Sequence, residues 1–302
     1  MSGQTPAGAG AAAQGGFLNI LKPPGMSSHD VIGFVRRILH IKRVGHAGTL
    51  DPAAAGVLPV AVGQAARLIE YLELADKTYR AEVRFGIATD SGDDTGKILQ
   101  SKPDFTMPSV EEIQAVLKQF TGRITQIPPA HSAIKIHGQR ACDLLRQGQK
   151  VEMPSREITI HRLELLVRRT DTLLIDTDCS KGTYIRSLCA DIGEALGIPA
   201  TMAFLVRRRV GDFQLGNALT LEELQAQGAS ALLDPSEFLS HLESYALNPL
   251  REKAFRNGLG TGERENIPQS DVLRVYADGV FLGIGRYDRE NQEIIPVKVL
   301  GN

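Results

Sequence analysis

The chain contains no tryptophan and only three cysteines, Cys142, Cys179 and Cys189, among its 302 residues. Their odd number and wide spacing leave no CxxC pair, so neither a disulfide framework nor a zinc site is indicated. Cys179 and Cys189 sit among apolar neighbours and are expected to be small buried hydrophobes. No apolar run approaches the ~20 residues of a membrane span. The first sixteen residues lack a basic n-region and an apolar h-region, so they are not a secretory signal. Rich in Gly and Ala, residues 1–16 read as a disordered tail. Also missing are GxxxxGK[ST], a GxGxxG opening a helix, GxSxG and HExxH, which removes several nucleotide-dependent and hydrolytic classes. A cytoplasmic protein without metal, cofactor or membrane is the expectation.

What is present is 42% apolar and 23% charged, the balance of a soluble globular chain. The length suits one large domain plus a small one. A net charge of −1 argues against indiscriminate nucleic-acid binding, but the charge is unevenly spread. From Lys118 to Arg169 ten Lys/Arg stand against four acids, whereas Asp90 to Glu112 holds six acids and two lysines. A basic stretch is the electrostatic footprint of an RNA binder, although a solvated face produces the same excess.

Phe17 to Ile20 reads as a short strand. Ser27 or Ser28 caps a helix through about His40 whose apolar face includes Val31, Ile32 and Val35. Val57 to Val62 is apolar and β-branched, as a buried strand would be. Tyr79, Ala81, Val83 and Phe85 alternate with Arg80, Glu82 and Arg84, the mark of a strand with one wet face. Ser109 with Glu112 and Thr220 with Glu223 are capping boxes, for helices ending near Phe120 and at Gly228. Residues 156 to 179 read as two strands broken at 168–171, and a helix follows Arg186 and stops before Gly197. Irregular alternation of this kind favours an α+β domain over a doubly wound fold. After Tyr245 the pattern changes to short strands, with a hairpin turn at Ala277-Asp278-Gly279.

The most informative stretch runs from Lys42 to Pro59. It is basic at its start and glycine-rich in its middle, and from Lys42 through Arg67 the only acid is Asp51. Glycines at 45, 48 and 56 permit close backbone approach, and Pro52 stiffens the turn after the carboxylate. An isolated carboxylate in a rigid loop, behind charge that attracts a polyanion, suggests a nucleophile or base acting on a phosphate-bearing substrate. Asp-Pro also marks ordinary turns.

This stretch resembles the Gly-His-x-Gly-x-Leu-Asp-Pro motif of the TruB family of tRNA pseudouridine synthases. Other blocks match that family in the same order: Lys22-Pro23-Pro24-Gly25-Met26-Ser27-Ser28, Asp76-Lys77-Thr78-Tyr79-Arg80, Ile127-Pro128-Pro129, Ser180 to Leu188, and Leu205 to Gly211. The resemblance spans roughly Phe17 to Phe213. It implies the pseudouridine synthase fold, a mixed-sheet catalytic domain over 17–245, and a small β-rich, PUA-like domain over 246–302. It also implies an RNA-gripping insertion at about 128–152. The activity implied is isomerisation of uridine-55 in the T loop of tRNA, by cleavage of the N-glycosidic bond, rotation of the base and C–C reattachment.

One carboxylate suffices for that chemistry, because the returning base displaces it; a glycosidase would need two. The nucleophile implied is Asp51, and a carboxylate needs no separate base to activate it. The resemblance makes Tyr79 the residue that stacks on the target base and Arg186 the partner that orients Asp51. It assigns Tyr184 and Leu205 to the uracil pocket, His46 to the RNA loop, and Lys22 to loop support or RNA contact. A base buried in a folded RNA must be flipped out to be reached. The expected partner is the T stem-loop of tRNA, with no protein partner implied and a monomer as the expected state. The rival reading is an RNA-binding protein or tRNA-folding chaperone without catalysis. Three departures from the family pattern, His131, Cys142 and Val206, bear on RNA contact and not on the chemistry.

Overall fold

The computed structural model describes residues 15–301 apart from 133, 137 and 150, and gives only the backbone of Lys135, Arg140 and Cys142. The expected tail lies outside the described residues up to residue 14. Gly16 exchanges two backbone hydrogen bonds with Val62, at 3.2 and 2.9 Å. The chain divides into two compact units. One comprises the chain up to Pro52, Gly56–Ala75 and everything from Val210 on; the other comprises Ala53–Ala55 and Asp76–Arg209.

In the first unit β1 (Phe17–Lys22) and β2 (Val44–His46) both pair antiparallel with β3 (Ala55–Val62). The helix Ser28–Leu39 starts where its sequence says it should. The Ser27 hydroxyl accepts from Asp30 N while the Asp30 carboxylate takes Ser27 N, and His40 ends the helix at φ 56°. Its Val31, Ile32 and Val35 pack on Leu18, Ile20, Leu58 and Val60. A second core joins Phe17, Val57, Phe213 and Phe238 to Ile284 and Leu300, so the end of the chain shares apolar packing with its beginning. The last 60 or so residues form a five-stranded sheet (order Glu243–Ala246, Val272–Ala277, Val280–Asp288, Glu293–Val299, Thr261–Gly262). Its first hairpin turns through Asp278 (φ 46°) and Gly279 (φ 78°), the left-handed pair the sequence signalled.

The second unit is built on β4 (Lys77–Phe85), β5 (Ile87–Thr89), β6 (Ile98–Ser101), β7 (Gly122–Gln126), β8 (Lys135–Ile136), β9 (Gln139–Arg140), β10 (Arg156–Arg168), β11 (Thr172–Cys179) and β12 (Ala200–Val210). Its main sheet runs β12-β4-β11-β10-β7, and β5 with β6 and β8 with β9 form separate hairpins. Ala81, Val83, Ile158, Ile160, Leu173 and Ile175 are buried, and the helices Val110–Gln119 and Ile185–Ala195 pack onto the sheet. Arg80, Glu82 and Arg84 take the wetter face, as their alternation implies. Cys179 and Cys189 are buried, and burial pushes the Cys179 thiol up to about 12. No helix among the described residues is long and apolar enough to cross a membrane.

The aromatic cluster of the first unit is its most concentrated packing. Phe213 stacks on Phe238 at 4.4 Å and meets Phe17 edge-on at 5.8 Å. Phe213→Ala is expected to lower stability by about 3–5 kcal/mol through the cavity it leaves, measured as the shift in urea unfolding; a loss below ~1 kcal/mol would show that the cluster repacks.

Candidate active site

The residues marked out by the sequence fall in both units. Lys22, His46 and Asp51 belong to the first, Tyr79, Tyr184, Arg186 and Leu205 to the second. The Asp51 loop joins β2 to β3. Gly48 at φ 84° turns it, and the buried Ala47, Leu50 and Ala54 anchor it from beneath. Both neighbours of Asp51 are tied down. Leu50 N donates to Ser28 Oγ (2.9 Å), which donates back to Leu50 O (3.1 Å). Pro52 O accepts from Gly25 N at 2.8 Å and from Lys22 Nζ at 3.3 Å.

Lys22 is 0% exposed, and its ammonium also donates to Pro23 O (2.9 Å) and Met26 O (2.7 Å). A buried charge is tolerated only when its donors are met, and here backbone carbonyls of two loops meet them. These bonds tie the Pro23–Met26 turn to the carbonyl that follows Asp51. His46 ends β2 opposite Val60, directly before the loop.

In the second unit Tyr79 stands on β4 opposite Thr177, 7% exposed. Its neighbours Thr78 and Arg80 point to the other face and are gripped by β11. Thr78 Oγ1 donates to Asp178, and Arg80 binds Asp176 through Nε (2.7 Å) and Nη2 (2.8 Å). Arg208 adds a contact to Asp176 at 2.7 Å and Arg162 one to Asp178 at 2.8 Å. Burial alone would raise the Asp176 carboxyl, but the Arg80 and Arg208 guanidiniums outweigh it and hold it below the usual range. Leu205 is buried on β12.

Tyr184 directly precedes the helix Ile185–Ala195, and the Arg156 guanidinium lies 5.7 Å from its ring centroid. Arg186, in the first turn, is 8% exposed. Its guanidinium donates to Ser91 O (2.9 Å) and His131 O (3.0 Å) and lies 4.0 Å from the Asp93 carboxylate. Gly92 permits this approach: its φ is +75°, and a Cβ there would stand 3.3 Å from Arg186 Cβ. Burial raises the Asp93 carboxyl, yet hydrogen bonds from Thr95 and Ser91 and the charge of Arg186 bring it below its ordinary value.

The family profile described as "TruB family pseudouridylate synthase (N terminal domain)" matches residues 36–185, and that of the "tRNA pseudouridylate synthase B C-terminal domain" matches 186–244. The tRNA pseudouridine synthase B of Heliobacterium mobile is 46% identical over 278 residues, 90% of this chain and 89% of that one. The chain belongs to the TruB family. The family's counterpart in Moorella thermoacetica is 50% identical over 236 residues, 75% of this chain and 77% of that protein. The solved Cbf5-Nop10-Gar1 complex contains a chain with a TM-score of 0.74 and 26% identity, covering 95% of this chain and 84% of that one. An H/ACA RNP bound to a substrate RNA gives a TM-score of 0.74 at 24% identity, over 96% of this chain and 86% of that one. The fold is therefore the α+β pseudouridine synthase fold with a C-terminal β-rich part, as the resemblance implied.

Two residues in contact with Arg186 and Tyr184 escape a reading of the sequence. Asp93 sits in an acidic, turn-rich run that reads as a solvated face, yet it is 8% exposed beside Arg186. Gln126 directly precedes the Ile127-Pro128-Pro129 block, and its amide bonds to the backbone of Tyr184. Because Asp93 titrates below the usual 3.8 when folded, its contribution is complete above that pH and is lost as the pH falls through the folded value. Asp93→Asn is expected to cost about 1.5–3 kcal/mol at pH 7, and the gap from the parent in urea midpoint should close towards pH 2–3. A gap that stays constant with pH would show that the ionised form contributes nothing.

Proposed function

We propose that the chain isomerises uridine-55 in the T loop of tRNA to pseudouridine, with Asp51 as the nucleophile. The observation that supports this most is the loop itself: one carboxylate, its two neighbours pinned by Ser28, Lys22 and Gly25. A nucleophile must be held where it can attack, and a loop tied on both sides of the attacking residue supplies that orientation. In the proposed reaction the Asp51 carboxylate bonds covalently to the nucleotide while the N-glycosidic bond breaks. The uracil then turns, its C5 bonds to C1′, the carboxylate leaves and the C5 proton is lost to a base.

In this reading Tyr79 stacks on the flipped uracil, Tyr184 and Leu205 line its pocket, and Arg186 orients Asp51. His46 supports the RNA loop. The insertion at 128–152, which contains the hairpin of β8 and β9 and the helix Ala141–Arg146, closes over the T loop. Residues 246–302 form the small β-rich, PUA-like part of the chain. Action on tRNA fits a cytoplasmic, monomeric protein that needs no cofactor.

Asp51→Asn is expected to reduce pseudouridine formation below about a hundredth of the parental rate, since no other acid stands in its loop. Affinity for tRNA should remain within a few-fold. Mapping pseudouridine at nucleotide resolution in an unmodified transcript reads both the activity and the position. A parent that binds tRNA but leaves position 55 as uridine would favour the chaperone reading.

The basic run from Lys118 to Arg169 contains the insertion, and a stem-loop of the T arm alone should be a competent substrate. Each phosphate contact in it contributes about 0.7–0.9 to the slope of log affinity against log salt. Charge reversal at Arg140 and Arg146 is expected to weaken binding and flatten that slope, with turnover at saturation nearly intact. Unchanged binding at every salt concentration would place the grip on RNA elsewhere in the chain.

A further inference from the structure

Gln126, the last residue of β7, is 1% exposed. Both ends of its amide are used by one residue 58 positions away: Nε2 donates to Tyr184 O at 3.0 Å, and Oε1 accepts from Tyr184 N at 2.8 Å. A side-chain amide placed in this way acts as the peptide group of a neighbouring strand would. Tyr184 needs such a partner. Its backbone is extended (φ −103°, ψ 111°), it caps the following helix without a side-chain bond, and its carbonyl already takes the first helical bond from Leu188 N at 3.1 Å. The amide therefore fixes the point from which the helix Ile185–Ala195 departs.

The same two segments are joined twice more. Ser187 Oγ donates to Ile127 O at 2.7 Å, and Arg186 Nη2 donates to His131 O at 3.0 Å. Residues 126–131, which lead into the insertion, are thus stitched to residues 184–187 by a ladder that uses backbone on one side of every rung. Nothing in this arrangement is needed to close the main sheet, since β7 pairs with β10 along Gly122 to Gln126 without it. Its effect is local, on the residues that the proposed reaction requires.

We propose that Gln126 is a positioning residue for pseudouridine formation: it sets the Tyr184 ring and the helical turn that carries Arg186. Through the rungs at Ile127 and His131, the seating of the insertion on RNA is read out at those two side chains. This rests on the roles given to Tyr184 and Arg186 above. Gln126 itself touches no reacting atom in this scheme; it acts through the tyrosine.

The test uses the full chain with a T-arm stem-loop at saturating concentration under single-turnover conditions. Gln126→Leu, similar in size and without either hydrogen bond, is expected to slow conversion on the order of 10- to 100-fold, the scale of a small misplacement at a reacting centre. RNA affinity should change by no more than a few-fold. Gln126→Glu adds a readout that a purely structural role would not move. Its ionised carboxylate can accept from Tyr184 N but has no donor for Tyr184 O, whereas the protonated acid has one, and burial raises the pH at which it forms. The rate of Gln126→Glu relative to the parent should therefore climb as pH is lowered from 8 to 5.5. Should Gln126→Leu fail to fold, this pH series decides alone.

A parental rate for folded Gln126→Leu, a loss of affinity that parallels the loss of rate, or a flat Gln126→Glu ratio would each overturn the proposal. Tyr184→Ala separates the two levels. If it converts uridine as fast as the parent, the role of Tyr184 is wrong and the proposal falls with it. If it is slow while Gln126→Leu is not, only the inference about Gln126 is lost.

Discussion

A cation removed from water has to be met by oxygen, and two such cations organise the loops around the residues on which the proposed chemistry rests. Lys22 collects the carbonyls of Pro23, Met26 and Pro52, and Arg186 collects those of Ser91 and His131. In both cases the acceptors come from loops that the sheet ladders leave to themselves. Removing either cation would take the donor from two or three carbonyls at once, a larger cost than the net value of a single bond. The charge is thus a fastening, and the loops it gathers are those bearing Asp51 in one unit and Asp93 in the other.

The strand carrying Tyr79 is fixed by a different means. Its two faces have separate tasks, with Tyr79, Ala81 and Val83 inward and Thr78 and Arg80 outward onto Asp178 and Asp176. Asp176 is buried and Asp178 partly so, while their partners Arg80, Arg162 and Arg208 are about two-fifths exposed. Such pairs add little as isolated surface contacts, but removing one carboxylate from beneath several guanidiniums would leave like charges facing each other. The network locks the register of β4 against β11 and so the height at which Tyr79 stands.

Much of this was legible in the residues themselves. The boxes at Ser109 and Thr220, the alternation through Phe85, the break at 168–171 and the turn at Asp278-Gly279 are local signals, and the structure follows each within a residue or two. The Asp51 loop also announced itself, because an isolated acid among glycines and bases is a pattern of composition. The strand Ala200–Val210 did not: its polar and apolar residues do not alternate cleanly, and its second half stood out only as the block from Leu205 that resembles the family. The hairpin of β5 and β6 was hidden by an all-exposed second strand and by acids that resemble a solvated loop. Asp93 and Gln126 were missed for a deeper reason. Each acts on a residue far along the chain, and Gln126 acts on its backbone, which carries no letter to read.

A contact made through the backbone leaves the side chain at that position free to change, and His131 is such a position. The structure uses its carbonyl oxygen for Arg186 and leaves its side chain exposed. A different side chain here would therefore alter the exposed surface and nothing that the arginine feels. Position 131 is where selection can vary the surface, over many exchanges, while the anchorage of the arginine beneath it stays under separate control.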